Sequence, residues 1–369
     1  MKALTTLLPL SAVLILFLGN CNDKPREAPE EDIRTIKERI QVIENKEDKR
    51  VDVWIDGKLF TSYIHPASIK KPVLYPVNTS SGVVITRGYP LDPEPWERVD
   101  HPHHVGIWLN HGDVNDLDFW NNSDSIPLDQ KMHYGTIYHR SVKDTKSGDD
   151  QGYLEIRAEW ERPDGRVLLD ENSEFYFTGR EQVRIIDRIT TLTARDLDVI
   201  FKDSKEGVLA IRVIRELEQP VHETLELLNE NLVPVQVIQE DDNRSKGHYV
   251  SSEGLEGDAV WGSRARWVKL GADYQGQPIG IVIMDHPENP NHPTHWHARG
   301  YGLFAANPFG SKMFTDGRES LNFFLPKGNS VVLKYRIYIY DGTMPDEAEI
   351  NQIYDAFIST YESGEEDSR

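Results

Sequence analysis

From residue 51 onward, short runs rich in Val, Ile, Tyr, Phe and Trp are broken repeatedly by Gly, Pro, Asn and Asp, a texture of strands rather than helices. Apolar and polar residues alternate with a period near two in 51–55, 152–160, 183–192 and 331–340. A half-buried strand shows this period because its successive side chains point to opposite faces. Asp56-Gly57, Pro163-Asp164-Gly165 and Lys327-Gly328-Asn329 stand between such runs and predict hairpin connections. One helix is predicted over 346–360: Pro345 precedes it, acids crowd its start, and Ile350, Ile353, Tyr354 and Phe357 recur at helical spacing. No long linker and no fixed-period repeat interrupts the strand-rich region. The economical architecture is all-β: one large antiparallel β-sandwich over 51–369 with a short C-terminal helix. Two fused sandwiches are the alternative.

The beginning of the chain reads as an address. Lys2 is followed by an apolar stretch over residues 7–18, too short for a bilayer span and of the length of a signal-peptide core. Leu18-Gly19-Asn20-Cys21 resembles a bacterial lipobox, in which the cysteine is lipidated and becomes the mature N-terminus; Asn20 departs from the usual small residue there. Ordinary secretory cleavage with an unused thiol is the alternative. Residues 1–20 are therefore expected to be a lipoprotein signal peptide. Residues 21–50, rich in Glu, Lys and Arg, are expected to be a polar tether in which 33–43 forms a short helix. The expected location is the periplasm or cell surface, with the membrane engaged only through a lipid on Cys21.

Charge and cysteine count narrow the chemistry. Lys and Arg number 41 against 61 Asp and Glu, a formal net charge of −20, and the basic residues gather in no stripe, so nucleic-acid binding is not expected. A single Cys rules out an intramolecular disulfide, a thiolate zinc ribbon and a cysteine-held iron–sulfur cluster. No Gly-x-Ser-x-Gly elbow, phosphate-cradling Gly-Lys-Ser/Thr loop or dinucleotide fingerprint is present, which sets aside serine hydrolases, P-loop hydrolases and Rossmann dehydrogenases.

Histidine is where the chain concentrates reactive groups. Of its 13 histidines, His101, His103, His104, His111, His133 and His139 fall in one window and His286, His292, His295 and His297 in another. Imidazole titrates near neutrality, donates or accepts at either nitrogen and ligates metals. If Pro102 opens an extended segment, His101 and His103 share one face and His104 takes the other; a turn near Asn110 would bring His111 back toward them. His103, His111, His295 and His297 are the candidate ligands of a transition metal such as zinc, copper or iron. The alternatives are acid–base or substrate-binding histidines, and loop histidines bonded to carbonyls.

A third stretch, Phe201-Lys202-Asp203-Ser204-Lys205-Glu206-Gly207 before the apolar run 208–211, sets charges at a sheet rim. Carboxylate beside ammonium is by default an exposed ion pair of little energetic worth. Combined with the histidines, these charges become chemistry. Glu206 is read as the partner carboxylate, His103, His104 and His297 as general acid or base, and Arg299 as the group that stabilises developing negative charge. Arg87, His111, Asp113, Asp118, Asp203, Lys205 and Asn307 are candidate substrate-binding residues. Trp108, Trp120, Trp296 and Tyr301 are candidate stacking surfaces for a sugar ring, core packing being the alternative for each.

Thr86-Arg87-Gly88-Tyr89-Pro90, residues 100–120, residues 201–212 and residues 296–310 resemble, in that order, the signatures of the bacterial DUF6807 or PmoA-like family. The resemblance implies a β-sandwich related in style to sugar-binding supersandwiches, in the company of carbohydrate-degrading enzymes. The methane oxygenase label attached to that family is set aside, because no run after the signal is long enough to span a membrane. Val105 stands where similar sequences often carry Arg, a contact that Arg87 or Arg98 would have to replace. The leading expectation is an exported enzyme of carbohydrate metabolism applying histidine and carboxylate acid–base chemistry to a sugar or sugar-derived carbonyl compound. A His-ligated metal-dependent oxygenase or hydrolase, and a lipid-anchored glycan-binding protein without catalysis, are the alternatives. Replacing Cys21 by Ala is expected to abolish incorporation of labelled palmitate and to move the protein from the membrane fraction to the soluble one, measured by autoradiography and fractionation.

Overall fold

Alternation along the strands sorts side chains onto two faces, and two eight-stranded antiparallel sheets pack their apolar faces together. The computed structural model describes residues 38–238 and 244–362. The first sheet runs β1 (Ile40–Asn45), β2 (Arg50–Ile55), β3 (Lys58–Ile64), β4 (Val73–Val77), β5 (Ile107–His111), β11 (Gly207–Arg212), β18 (Leu303–Asn307) and β17 (His295–Arg299). The second runs β14 (His248–Ser251), β15 (Trp267–Tyr274), β16 (Gln277–Asp285), β20 (Ser330–Asp341), β9 (Val183–Ala194), β8 (Val167–Arg180), β7 (Gly152–Glu161) and β6 (Thr136–Lys146). Two short ribbons pair β10 (Val199–Phe201) with β19 (Phe323–Leu325), and β12 (Thr224–Leu228) with β13 (Pro234–Ile238). The all-β sandwich expected from the sequence is the architecture found.

Leu109, Leu209, Ile211, Phe304 and Trp296 of the first sheet meet Leu154, Phe175, Ile186, Leu333 and Ile337 of the second in one continuous core. The outer face of the second sheet is closed by the C-terminal helix α2 (Glu347–Tyr361), while a one-turn helix, α1 (Ser311–Phe314), follows β18. The sequence signals at the start of α2 are realised as a capping box: Asp346 accepts from the Glu349 N–H and Glu349 from the Asp346 N–H. Ile350, Tyr354 and Phe357 then bury against Trp267, Val282, Met284 and Tyr340, with Ile350 and Phe357 each contributing about 1.5–3 kcal/mol by the usual scale of apolar burial.

Two expectations are corrected. Residues 1–37, with Cys21 and most of the expected tether, lie outside the described residues, but the described end of the expected 33–43 helix is strand: Ile40 pairs with Ile55 and Val42 with Val53. Ile40 and Val42 are buried while Ile43 is exposed, so the β2 edge and a period of two prevail, and the folded body starts ahead of residue 51. The Lys327–Asn329 turn joins β19 to β20, which pair with β10 and with β9 and β16 rather than with each other. It is a crossing between sheets, not a hairpin.

A buried ion pair marks the interior of the second sheet. Glu171 accepts from Arg188 at 2.8 Å, from Trp160 Nε1 at 2.9 Å and from the Ser173 hydroxyl at 2.6 Å. Removing one partner leaves the other charge uncompensated, so Glu171→Ala is expected to lower unfolding free energy by about 3–5 kcal/mol, read from urea denaturation.

Candidate functional site

Register places the site. Trp108 on β5 lies opposite Ala210 on β11, Ala210 opposite Ala305 on β18, and Ala305 opposite His297 on β17. The four side chains share the outer face of the first sheet, since Leu109, Leu209, Ala306 and Trp296 beside them join the inner core. With strands spaced about 4.8 Å apart, the Trp108 and His297 backbones stand ~14 Å apart across a floor of two alanines.

The histidine loop is tied down over this floor by a buried charge cluster. One Asp100 oxygen accepts from Arg87 at 2.6 Å and from Arg212 at 2.7 Å, and faces His101 Nδ1 at 3.3 Å. Burial raises the Asp100 carboxyl, but the His101 contact and the two guanidiniums outweigh it and hold the group well below the carboxylate range. Arg87 also donates to the carbonyls of His101 and His104 at 3.0 and 3.1 Å. A turn closes from the His104 N–H to the His101 carbonyl at 2.9 Å. Residues 101–106 are therefore a turn rather than the extended segment predicted from Pro102. His101, His103 and His104 gather, with ring centroids 4.4–5.7 Å apart.

The histidines differ in what they can do. His104 is fully buried and both its nitrogens are engaged: Nε2 accepts from Trp120 Nε1 at 3.1 Å, and Nδ1 faces Arg212 at 3.3 Å. Its expected role as acid or base gives way to holding Trp120 and Arg212. His103 keeps Nε2 buried without a partner; burial and then the Lys71, His101, Arg87 and Arg212 charges push its pKa down to about 2. His297 keeps Nδ1 without a partner, and burial, then Arg299 and Lys205, push it to about 3. Both imidazoles are thus neutral across the physiological range. Trp108 Nε1 is a third buried ring nitrogen without a partner on this face.

Lys71, in the turn before β4, was not singled out by the sequence. Its Nζ donates to the His103 carbonyl at 2.6 Å and lies 5.2 Å from the Trp108 ring centre. Burial lowers its pKa to about 7, with Asp118 opposing. Asp100 and Arg212 were missed as well, although Arg212 closing an apolar run was a readable signal. Lys70-Lys71-Pro72 looks like any exposed dibasic turn, so nothing local marked Lys71.

The rim carries the remaining chemistry. The half-exposed Glu206 accepts from the Ser204 hydroxyl at 2.9 Å and lies 3.6 Å from Lys205. Asp118 accepts from the Trp120 and Asn121 N–H groups at 2.8 and 2.9 Å, and burial, with Glu206 charge adding, raises its carboxyl. The Arg299 guanidinium stands 5.7 Å from both the Tyr301 and Trp261 ring centres. Tyr301 stacks on His101 at 5.1 Å and receives Arg212 at 4.9 Å. This face can accept and return a proton, place a cation beside developing negative charge, and offer ring surface to a sugar.

Several predicted residues serve structure instead. Trp296 faces the inner core and donates to the Ala265 carbonyl. His111 gives Nε2 to the Lys202 carbonyl at 2.7 Å and His295 gives Nδ1 to that of Gly262 at 2.9 Å, while His111 Nδ1 and His295 Nε2 are buried without partners. Asp113 caps a turn through the Asp116 N–H, Asp203 accepts from the Lys312, Leu321 and Asn322 N–H groups, and Asn307 holds the Ser204 and Lys205 carbonyls. Asn307 thereby positions Glu206. Arg87 builds the histidine loop, and Arg98 is committed to Glu218 at 2.7 Å, so neither replaces an arginine at Val105, which is itself buried. Among the described residues no three His, Cys, Asp or Glu side chains converge as a metal-binding group. His103, His111, His295 and His297 are not one donor set.

Fold and site together define an antiparallel β-sandwich with a histidine-bearing outer face. The chain belongs to the DUF6807 family, described as a family of unknown function, which it matches over residues 50–355. No curated protein matches the sequence. Among solved structures the chain is similar to the galactosidase domain of an alpha-galactosidase–sucrose kinase, with 9% identity, a TM-score of 0.36, and coverage of 82% of this chain and 42% of that one. It is also similar to a GH36 alpha-galactosidase of Geobacillus stearothermophilus, with 9% identity, a TM-score of 0.31, and coverage of 82% and 41%. A galactose mutarotase-like protein of Clostridium acetobutylicum gives 10% identity, a TM-score of 0.34, and coverage of 84% and 100%. The chain spans less than half the length of the two galactosidase chains.

A buried amine with a depressed pKa binds fewer protons in the folded chain than in the unfolded one. Between about pH 7 and the ordinary lysine value of 10.5, stability therefore rises with pH. Lys71→Met is expected to remove that contribution, close to 1.4 kcal/mol per pH unit within the window, measured as the slope of unfolding free energy against pH.

Proposed function

We propose that this protein is an enzyme that acts on a sugar or sugar-derived carbonyl compound by acid–base chemistry on the outer face of the first sheet. The observation that carries the reading is the set of buried, partnerless ring nitrogens at His103, Trp108 and His297 over the alanine floor, with Glu206 at the rim. Buried polar atoms without partners are uncommon and cost about 1–3 kcal/mol each. A polyhydroxylated ligand supplies the oxygens that would satisfy them, and Tyr301 offers it a face on which to stack. Glu206 takes or returns the proton, neutral His103 holds a hydroxyl or carbonyl oxygen, His297, whose other nitrogen is bonded to the Lys205 backbone, accepts from a hydroxyl at Nδ1, and Arg299 stabilises an enolate- or alkoxide-like oxygen. Export and lipidation at Cys21 belong to the same proposal, since they would put the site where extracellular glycans are met.

The test is incubation of purified protein with a panel of mono- and disaccharides, uronates and keto-sugars in D2O, followed by proton NMR for new products and for solvent exchange at carbon. Turnover is expected on at least one class. It should fall at least a hundredfold, on the scale of general acid–base catalysis, in Glu206→Gln and His103→Gln, with melting temperature unchanged. Turnover equal to wild type in both variants overturns the roles assigned. Glycan binding with no product over long incubation gives the non-catalytic reading instead.

A further inference from the structure

A concave feature lies away from the outer face, where the end of β3 and the 66–72 segment meet the edge strand β6. It is a cleft of about 530 Å³ lined by Lys49, His65, Lys70, Thr136, Tyr138 and His139, among others, within the size range of small-ligand sites. Its lining includes three lysines and two histidines and no Asp or Glu, although the chain carries a net charge of −20. The local fold holds these groups together: the His65 N–H donates to the Lys49 carbonyl at 3.4 Å, and the Ile137 N–H to the Lys70 carbonyl at 2.9 Å. The His65 and His139 rings stack at 3.9 Å with 22° between their planes.

The tautomer of His139 follows from what lies behind it. Its Nδ1 is 3.0 Å from the Tyr63 hydroxyl. Tyr63 is 2% exposed, and burial, then the charge of Glu171, pushes its phenol well above the ordinary value against the opposing Arg188, so it keeps its proton. Nδ1 is the acceptor the structure offers that proton, which leaves Nε2 as the N–H on the opposite side of the ring. Lys49 forms no ion pair among the described residues, whereas Lys70 is paired with Asp124 at 2.5 Å. Lys71 borders the cleft, but its Nζ belongs to the His103 carbonyl.

We infer that this cleft is a second binding site, separate from the outer face, for the carboxylate or phosphate group of a small anion held by Lys49, His65 and His139. The Tyr63 phenol acts as a positioning residue that aims the His139 donor. An anion seated here favours the protonated imidazoles; when His139 takes its second proton at Nδ1, the Tyr63 hydroxyl turns from donor to acceptor and still fixes the ring. In the free protein, burial and the neighbouring His65 depress His139 to about 4, and burial and Lys49 depress His65 against the weaker pull of Glu44. Binding therefore takes up protons and tightens as pH falls from 7 toward 5.

The experiment is calorimetric titration of the full chain with inorganic phosphate and, separately, with glucuronate, alongside histidine Cε1–H NMR. Expected are binding of at least one probe, about tenfold weakening (about 1.4 kcal/mol) in Lys49→Gln and in His139→Gln, and an upward shift of the His139 titration on binding. Phosphate alone assigns a phosphoryl group, glucuronate alone a carboxylate. Tyr63→Phe should weaken binding while leaving Lys49→Gln additive with it, and Glu206→Gln should leave binding unchanged, so failure of this site and failure of the outer-face enzyme are visible separately. No binding of either probe at millimolar concentration, or binding unaltered in both Lys49→Gln and His139→Gln, overturns the proposal.

Discussion

A single carboxylate organises the outer face. Asp100 bridges Arg87, which arrives from the segment after β4, and Arg212, which ends β11, and it carries the start of the loop bearing His101, His103 and His104. Two guanidiniums buried this deeply repel each other and have surrendered their water, so neither would be tolerable without the anion between them. The same tie sets Arg212 under Tyr301 and against His104, which in turn receives Trp120. Positions separated by many residues in the chain thus reach one patch because one charge has to be neutralised there.

The sheet supplies what that tie cannot. Trp108, Ala210, Ala305 and His297 align because four antiparallel strands keep register across the first sheet, and register in turn is set by the inner face, where a slip of one residue would expose Leu209, Ile211 and Phe304. The small side chains at the two central positions, Ala210 and Ala305, pack with Trp108, Trp120, Val73, Val105 and Leu303 in a second apolar cluster on that face. The packing that stabilises the sandwich and the geometry that offers a site are consequences of the same alternation.

Burial decides the protonation states. His103, His104 and His297 all lie under positive charge as well as away from water, so histidines that look like pH-7 switches in the sequence are neutral hydrogen-bonding groups in the fold. Lys71, an unremarkable lysine in the sequence, becomes the amine whose proton is loosely held near neutrality. The roles of the two residue types are in that sense exchanged.

The sequence by itself determined the all-β class, most long strands and the terminal helix, because period-two alternation, turn residues and a Pro-led, acid-rich helix start are local signals that the core merely ratifies. It also pointed to the 100–120, 201–212 and 296–310 stretches as the place for chemistry. It could not say which backbone groups the rings would meet, since those partners come from distant segments: Lys202 for His111, Gly262 for His295 and Lys205 for His297. Nor could it separate Trp108 from Trp296, which lie on opposite faces of one sheet. Only the tertiary structure decided these, and with them Lys71, Asp100 and Arg212, because desolvation and long-range charge pairing depend on neighbours that no spacing along the chain encodes.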